Sequence, residues 1–232
     1  MTDDAAVLEI IGAFPDPSTS RLPPTPLDIR VSPEESVLIE FADPLQAADF
    51  ADLCCGLTSL QGGVVKFLGF DWANTPNELA SALRGRIGQV SVTNSWIRFL
   101  STDANILLQQ FHHTRTPMAV LREKAAELAR SFGLPGLPLA RPDELTFEDL
   151  VRAACIRAFI GAPRLIILKS PELEQVADVR FALLNAVAAA RNRQAAAVWL
   201  TSSDFVWNDH SIPSTRRLRL TDNGLVAGRT GS

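Results

Sequence analysis

The stretch GAPRLIILKSP, residues 161–171, decides the fold of this chain. Arg164 is followed by four consecutive Leu or Ile side chains, residues 165–168. A short apolar run without polar alternation is typical of a strand that is buried on both faces, as in parallel sheets covered by helices. Residues 164–168 therefore predict a central strand of a parallel sheet.

Strands and helices alternate on both sides of this stretch. Further strands are predicted at residues 7–11, 27–31, 36–41, 64–68, 86–92 and 195–201, with a hairpin over 218–227. Helices are predicted at residues 46–57, 75–84, 102–111, 117–132, 146–160 and 176–192. Residues 15–26 are proline-rich and predict a loop, whereas Gly62 and Gly63 predict a turn. This order indicates an α/β fold with a helix-covered parallel sheet.

Composition narrows the functional classes. The chain has 232 residues, 47% of them hydrophobic and 21% charged, which is typical of one globular α/β domain. The formal net charge of -4 gives no basic surface signature, so nucleic acid is not an expected partner. No apolar run reaches the length of a membrane span, which favours a cytoplasmic location. Cys54, Cys55 and Cys155 are expected to be buried free thiols.

The framework positions resemble those of ABC-type ATPases. Residues 161–171 are similar to the family pattern GdPrLLiLdeP, and residues 62–71 to sGeVxfxGxd. Residues 86–88 resemble the RIGyV strand, and residues 37–39 resemble the strand before the phosphate loop of that family. The likeness extends over roughly residues 7–229.

The resemblance implies a P-loop NTPase-like (RecA-like) fold. It predicts one domain over residues 1–232, with a parallel core at about 1–90 and 161–232. An antiparallel β part is expected near the N-terminus, and a helical subdomain at about 91–160.

The same resemblance indicates that the phosphate loop has lost its chemistry. In the family, a GxxGxGK[ST] loop wraps phosphates with backbone N–H groups, and its lysine and hydroxyl reach phosphate and magnesium. The aligned residues here are Phe41, Ala42, Asp43, Pro44, Leu45, Gln46, Ala47 and Ala48, followed by Asp49. Ala47 replaces the lysine, Ala48 replaces the hydroxyl residue, and Pro44 lacks an N–H.

Two carboxylates make this loop still less suited to a phosphate. Asp43 and Asp49 lie near the expected phosphate position. A like charge at about 4 Å costs on the order of 4 kcal/mol at an effective dielectric of about 20. Since about 1.4 kcal/mol already weakens binding tenfold, the resemblance implies that ordinary triphosphate binding is lost.

The remaining positions of ATP chemistry are substituted as well. Lys169 takes the place of the magnesium-binding aspartate, and Ser170 takes that of the glutamate that polarises water. Val92 stands for the switch-loop glutamine, and Ser202 or Ser203 for the switch histidine. The signature motif is replaced by Thr146, Phe147, Glu148 and Asp149. We therefore expect no catalytic residue, no bound metal and no nucleotide cofactor.

An apolar cluster is the candidate for a partner contact. It consists of Trp96, Ile97, Phe99 and Leu100. In the family this region meets a cytoplasmic helix of the membrane subunit, but ordinary packing of the helical subdomain is the alternative. Residues 67–72, FLGFDW, look like those of bacterial cassettes in lipid-trafficking, MCE-type systems.

Three hypotheses follow for the function. The first is a degenerate, non-hydrolysing cassette that couples to an integral membrane permease and to a second cassette, identical or active. It would lie on the inner face of the cytoplasmic membrane. The second is an ABC ATPase subunit with non-standard motifs that still uses ATP and magnesium. The third is a soluble scaffold without a permease.

Overall fold

The computed structural model describes residues 5–92, 95–169 and 177–228. The strands are β1 (Leu8–Pro15), β2 (Leu27–Val31), β3 (Ser36–Glu40), β4 (Leu60–Phe67), β5 (Phe70–Asp71), β6 (Ile87–Val90), β7 (Leu165–Lys169), β8 (Ala196–Thr201), β9 (Arg216–Thr221) and β10 (Gly224–Ala227). The α-helices are α1 (Pro44–Cys54), α2 (Asn77–Arg84), α3 (Thr102–His113), α4 (Met118–Ser131), α5 (Phe147–Phe159), α6 (Ala177–Arg191) and α7 (Asp204–Trp207).

The central sheet is mainly parallel and has β7 inside it. Within the described residues its strand order is β10-β9-β3-β8-β7-β6, with only β10 antiparallel to its neighbour. Ile167 of β7 pairs with Gln89 of β6 on one side and with Val198 of β8 on the other. The side chains of residues 165–168 are fully buried, so the predicted central strand is confirmed.

A second, antiparallel sheet forms near the N-terminus. Its strand order over the described residues is β2-β1-β4-β5. Residues of β2, a strand that the sequence predicted at 27–31, alternate strictly between buried and exposed, which is typical of a strand with one buried face. One face of this sheet joins β3 and α1 in a hydrophobic core that includes Leu8, Phe50 and Phe67.

The helices α3, α4 and α5 form a second core on the other side of the central sheet. Ile106 of α3, Leu121 of α4 and Ile156 of α5 are buried together. Thr146 precedes α5, and its Oγ1 accepts a hydrogen bond from the Asp149 N–H at 3.2 Å, as expected of an N-cap. The α/β architecture with a parallel core, an antiparallel part and a helical layer is the predicted fold class.

The glycine pair does not form the predicted turn. Gly62 and Gly63 lie inside β4, where the register against β1 shifts between Ile11 and Phe14. This bulge brings Gly63, at φ +76°, so close to the backbone of Gly12 that a Cβ would lie 2.1 Å from the Gly12 carbonyl oxygen. The prediction was wrong because both glycines continue β4, and Gly63 allows a close contact with β1, which is far away in sequence.

Two helix starts also differ from the prediction. α1 begins at Pro44, two residues before the predicted start, because Asp43 caps it and proline suits the first turn. Thr75 does not cap α2. Its Oγ1 donates instead to the Asp71 carbonyl oxygen at 2.5 Å.

Replacing Gly63 by alanine tests the close crossing of β1 and β4. We expect Gly63→Ala to lower the free energy of unfolding by about 2–4 kcal/mol, because a left-handed backbone costs a non-glycine residue roughly 1–2 kcal/mol and the clash adds to it. Gly62→Ala is the matched control, since no atom lies within 4 Å of its Cβ position. Urea denaturation measures both, and equal stabilities of the two variants would contradict the close crossing.

Candidate functional site

A cavity of about 800 Å³ opens at the carboxyl ends of β6, β7 and β8, beside α1. This edge of a parallel sheet is where α/β proteins usually bind ligands. α1 contributes Pro44, Leu45, Ala47, Ala48 and Asp52, and the sheet edge contributes Gln89, Ser91, Lys169, Leu200 and Ser202. The far wall is formed by Cys55, Leu57, Arg84, Ile87, Ser95, Gln109, His113 and Arg157.

The residues aligned with the phosphate loop close the first turn of α1 on itself. The Asp43 carboxylate accepts the Leu45 N–H at 2.8 Å, and Pro44 has no N–H to offer. Free N–H groups at a helix N-terminus are what bind an anion. The negatively charged Asp43 carboxylate therefore already binds the Leu45 N–H, one of the donors that a phosphate would need.

The residues before this turn also differ from those of an open phosphate loop. Phe41 is buried, with its ring centroid 5.5 Å from that of Phe50, and Ala42 is exposed. The Phe41 N–H donates to the Thr201 carbonyl oxygen at 2.8 Å. The chain thus passes from β3 into α1 over a short, filled connection instead of an open loop.

Asp49 binds a neighbouring loop. Its Oδ2 accepts the Arg21 N–H at 2.5 Å and the Ser20 hydroxyl at 3.4 Å, and its Oδ1 lies 3.4 Å from the Arg21 guanidinium. Gln46, one turn earlier, donates through Nε2 to the Arg21 carbonyl oxygen at 3.2 Å. Asp49 therefore lies on the flank of α1 that faces residues 20 and 21.

Lys169 and Asp52 bring opposite charges to the cavity. Lys169 ends β7 beside Leu200 of β8, and Asp52 lies one turn after Ala48 on α1. Partial burial raises the pKa of the Asp52 carboxyl above its ordinary value, and the positive charge of Lys169 opposes that shift. Sequence reasoning missed Asp52, although its spacing of four from Ala48 puts both on one helix face.

Of the residues predicted at the switch-loop and switch-histidine positions, only some line the cavity. Val92 is buried and does not line the cavity, whereas the nearby polar residues Gln89 and Ser91 do. Ser202 lines the cavity, whereas the Ser203 N–H donates to Thr201 Oγ1 at 3.0 Å at the start of α7. Ser170, the predicted replacement of the water-polarising glutamate, lies outside the described residues.

Gln89 meets a buried thiol inside the cavity. Its Nε2 donates to Cys55 Sγ at 3.0 Å. Burial raises the pKa of the Cys55 thiol to about 11, so the thiol is protonated near neutral pH. Burial likewise raises the pKa of Cys155 to about 12. All three cysteines are buried and free, which confirms that prediction.

Arg157 of α5 holds the segment that follows β6. Its guanidinium donates to the carbonyl oxygens of Ser91 at 2.8 Å and Ser95 at 2.6 Å, and to Ser95 Oγ at 3.0 Å. It also lies over the Trp96 ring, 4.3 Å from the centroid. Sequence reasoning missed this role because the partners are more than sixty residues away, at a separation of 62 or 66.

The residues at the signature position lie at the start of α5, outside the cavity lining. Glu148 and Asp149 form ion pairs with Arg152, at 3.7 and 3.0 Å. The predicted acidic pair is therefore balanced locally by a cation on the same helix. Phe147 remains exposed beside it.

The four predicted partner residues do not form one exposed patch. Trp96, Ile97 and Leu100 are partly buried, and Phe99 is 79% exposed. Asn105 pins the segment by accepting the Ile97 N–H at 2.8 Å and donating to the Ile97 carbonyl oxygen at 3.0 Å. The buried indole N–H of Trp96 has no acceptor among the described residues.

His113 lines the cavity without forming a metal site. Its Nδ1 lies 2.7 Å from the Ser81 hydroxyl. Burial, His112 and Arg84, in that order, lower the pKa of His113, which favours the neutral imidazole. The described part of the chain contains no group of three or more His, Cys, Asp or Glu side chains suited to a metal ion.

Comparison with known proteins puts this geometry in context. No family model matches the chain. It is similar to the bacitracin export ATP-binding protein BceA of Halalkalibacterium halodurans, with 26% identity over 146 residues. The match covers 62% of this chain and 57% of BceA, so the chain spans little more than half of that relative.

Solved structures match over nearly the whole chain. The dimeric structure of MJ0796, a bacterial ABC transporter cassette, has a TM-score of 0.80 at 15% identity and covers 97% of this chain and 99% of its own. The ATP-binding subunit of an ABC transporter has a TM-score of 0.76 at 16% identity, with 97% and 90% covered. Clostridium perfringens cbiO1, part of the transporter complex cbiONQ, has a TM-score of 0.73 at 12% identity, with 96% and 87% covered.

These likenesses place the fold in the P-loop NTPase-like α/β class. Within that class it is the fold of ABC transporter ATP-binding cassettes. The cavity lies at the carboxyl edge of its parallel sheet. In the described part of the chain, no helix has both the length and the apolar character needed to span a bilayer.

Removing the Arg157 guanidinium tests whether it fixes the segment after β6. We expect Arg157→Met to lower the free energy of unfolding by about 2–3 kcal/mol, because it removes charged hydrogen bonds to Ser91 and Ser95. Arg130→Met, at an exposed position of α4, is the control and should change stability by less than about 0.5 kcal/mol. If chemical denaturation gives the same result for both variants, Arg157 does not have this role.

Proposed function

We propose that this chain is a non-hydrolysing cassette subunit of a membrane ABC transporter. It couples to an integral membrane permease and pairs with a second cassette, on the inner face of the cytoplasmic membrane. One observation carries the proposal: at the sheet edge, where cassettes handle ATP, Lys169 faces a cavity whose α1 wall offers Ala47 and Ala48. The cassette fold and the partial likeness to BceA support the transporter context.

The groups that line the cavity do not suit magnesium and a triphosphate. Magnesium prefers six oxygen ligands in octahedral geometry, whereas Ala48 offers none and Lys169 brings a positive charge. Asp52 is the only carboxylate of the cavity wall in the described part of the chain. Asp52 and His113 are the candidate general bases of that described wall, but a base has no substrate to act on where the wall does not suit magnesium and a triphosphate. We therefore assign no hydrolytic step to this chain.

The shape and chemistry of the cavity favour a docking role. Leu57 lines the cavity together with Arg84, Gln109 and His113. Leu45 and Leu57 are the two large apolar lining residues that are exposed, at 51% and 61%, and we call them the apolar rim. Exposed apolar side chains beside polar lining groups suit a short segment of a partner protein. We propose that a cytoplasmic segment of the permease binds there.

The segment after β6 offers a further apolar contact near the cavity. Its Ser95 lines the cavity, and Phe99 is 79% exposed a few residues later. A partner that covers Phe99 would remove this apolar surface from water.

Two further hypotheses concern a second cassette and a lipid cargo. Known structures support the first, and only a short stretch of sequence suggested the second. The MJ0796 cassette was solved as a dimer, and cbiO1 belongs to a transporter complex, so we extend pairing to this chain. The lipid-trafficking hypothesis rests on residues 67–72 alone. In the structure Phe67 stacks on Trp72 at 5.8 Å, and the Trp72 indole donates to the Cys54 carbonyl oxygen. Because these residues serve packing, they do not indicate a cargo.

The second candidate function is an ATP-binding subunit with non-standard motifs. The likeness to BceA, an export ATP-binding protein, favours it. In that case, ATP and magnesium would bind at the same cavity. A scaffold without a permease is the third possibility, and the two experiments below separate all three.

Nucleotide binding distinguishes the first two functions. We expect isothermal titration of the wild-type chain with Mg-ATP to show no saturable heat up to millimolar ligand, because Ala47 and Lys169 replace the phosphate and metal ligands. A hydrolytically active cassette, titrated in parallel, is the positive control. Micromolar affinity in the wild-type chain would reject the non-hydrolysing proposal in favour of the second function.

Capture of the permease tests the docking surface. The tagged chain, purified from mildly solubilised membranes of its own organism, should retain a multi-span membrane protein that mass spectrometry identifies. Leu57→Glu should reduce that capture at least tenfold, because it places a charge on the apolar rim. Leu139→Glu, at a position that is 69% exposed and outside the cavity, should leave capture unchanged. No captured permease would favour the scaffold, whereas equal loss in both variants would contradict the docking surface at Leu57.

A further inference from the structure

The loop between β1 and β2 crosses α1 and binds to it. Residues 20–22 lie at the crossing, and we refer to them as the strap. The Arg21 backbone N–H donates to Asp49 Oδ2 at 2.5 Å, and the Arg21 carbonyl oxygen accepts from Gln46 Nε2 at 3.2 Å. Both main-chain polar groups of one strap residue are therefore bound to side chains of α1.

The strap is held at both of its ends. Before it, Asp16 builds a turn by accepting the N–H of Ser18 at 2.9 Å, and the Asp16 N–H donates to the Ser59 carbonyl oxygen at 2.9 Å. Within it, Leu22 is buried in the core shared by the two sheets and α1. The loop thus has a defined path that brings Arg21 to Asp49.

The strap and the cavity lie on adjacent flanks of the same helix. Gln46 and Asp49 are three residues apart and share the flank that the strap contacts. Ala48 and Asp52 are four residues apart and share the flank that lines the cavity. The strap therefore covers one flank of α1, and the cavity lies along the adjacent flank.

α1 contributes a carboxylate to this contact, whereas a site for an anion would offer N–H donors or cations. The Asp49 carboxylate is mostly buried, with 15% of its side chain exposed, and it accepts both the main-chain N–H and a guanidinium N–H of Arg21. The Arg21 side chain is 59% exposed, so its ion pair contributes little. The backbone bond to the carboxylate, a charge-assisted hydrogen bond, is the main link.

We propose that the strap is a built-in occupant of this flank of α1. It fixes α1 to the antiparallel sheet in cis through the flank beside the one that lines the cavity, so the position of α1 does not depend on a ligand in the cavity. This inference rests on the proposed function, since it explains how a cassette that binds no ATP keeps α1 in place. The contact itself is defined by Asp49 and Arg21 and can be tested without nucleotide.

Hydrogen–deuterium exchange of the full chain tests the strap. Asp49→Ala should speed amide exchange across residues 20–22 at least about tenfold, since it removes the charged acceptor of the Arg21 N–H. Asp28→Ala is the matched control. It removes a carboxylate that accepts the Gly12 N–H at 2.7 Å and should loosen residue 12 but not the strap. Unchanged exchange of residues 20–22 in Asp49→Ala would overturn the proposal.

A second measurement separates the strap from general unfolding. Alanine is the best helix former, so Asp49→Ala is expected to keep α1 folded, and unchanged exchange in β7 would verify that. Trypsin should then cut after Arg21 at least about tenfold faster in Asp49→Ala than in Asp28→Ala, because the strap lifts off. Equal cleavage rates would contradict the proposal. Saturable Mg-ATP binding by the wild-type chain would instead overturn the proposed function.

Discussion

The parallel pairing of β7 between β6 and β8 fixes the chemistry of the sheet edge. Its four Leu and Ile side chains are fully buried, and Lys169 is its last residue and borders the cavity. The buried strand thus fixes a cation at the carboxyl edge of the sheet.

The start of α1 is fixed by contacts within its own chain. Asp43 caps the helix with a carboxylate, Pro44 removes a donor, and Asp49 binds the strap. Each change is locally favourable: the cap and the first-turn proline stabilise the helix, and the strap satisfies main-chain groups of a long loop. Together these contacts make the start of α1 a packed support, and Arg157 holds the segment after β6 through its own hydrogen bonds.

Periodicity and apolar runs were enough to predict the parallel core, the alternating strand β2 and the capped helix α5. These features depend on residues that are close in sequence. The bulge at Gly63, the Asp49–Arg21 contact and the convergence of Asp52 with Lys169 could not be predicted, because each joins segments far apart along the chain. The substitutions at Ala47, Ala48 and Lys169 were visible in the sequence, but whether Ser202 or Ser203 borders the cavity needed the structure.

We propose that the edge between Ala48 and Lys169 does not hold a metal-bound triphosphate. The most direct measurement is a high-resolution structure of the protein solved with Mg-ATP at a concentration that saturates ordinary cassettes. We expect no nucleotide density beside Lys169 and the strap in place against Asp49. A triphosphate seated at the start of α1, with magnesium between it and β7, would contradict it.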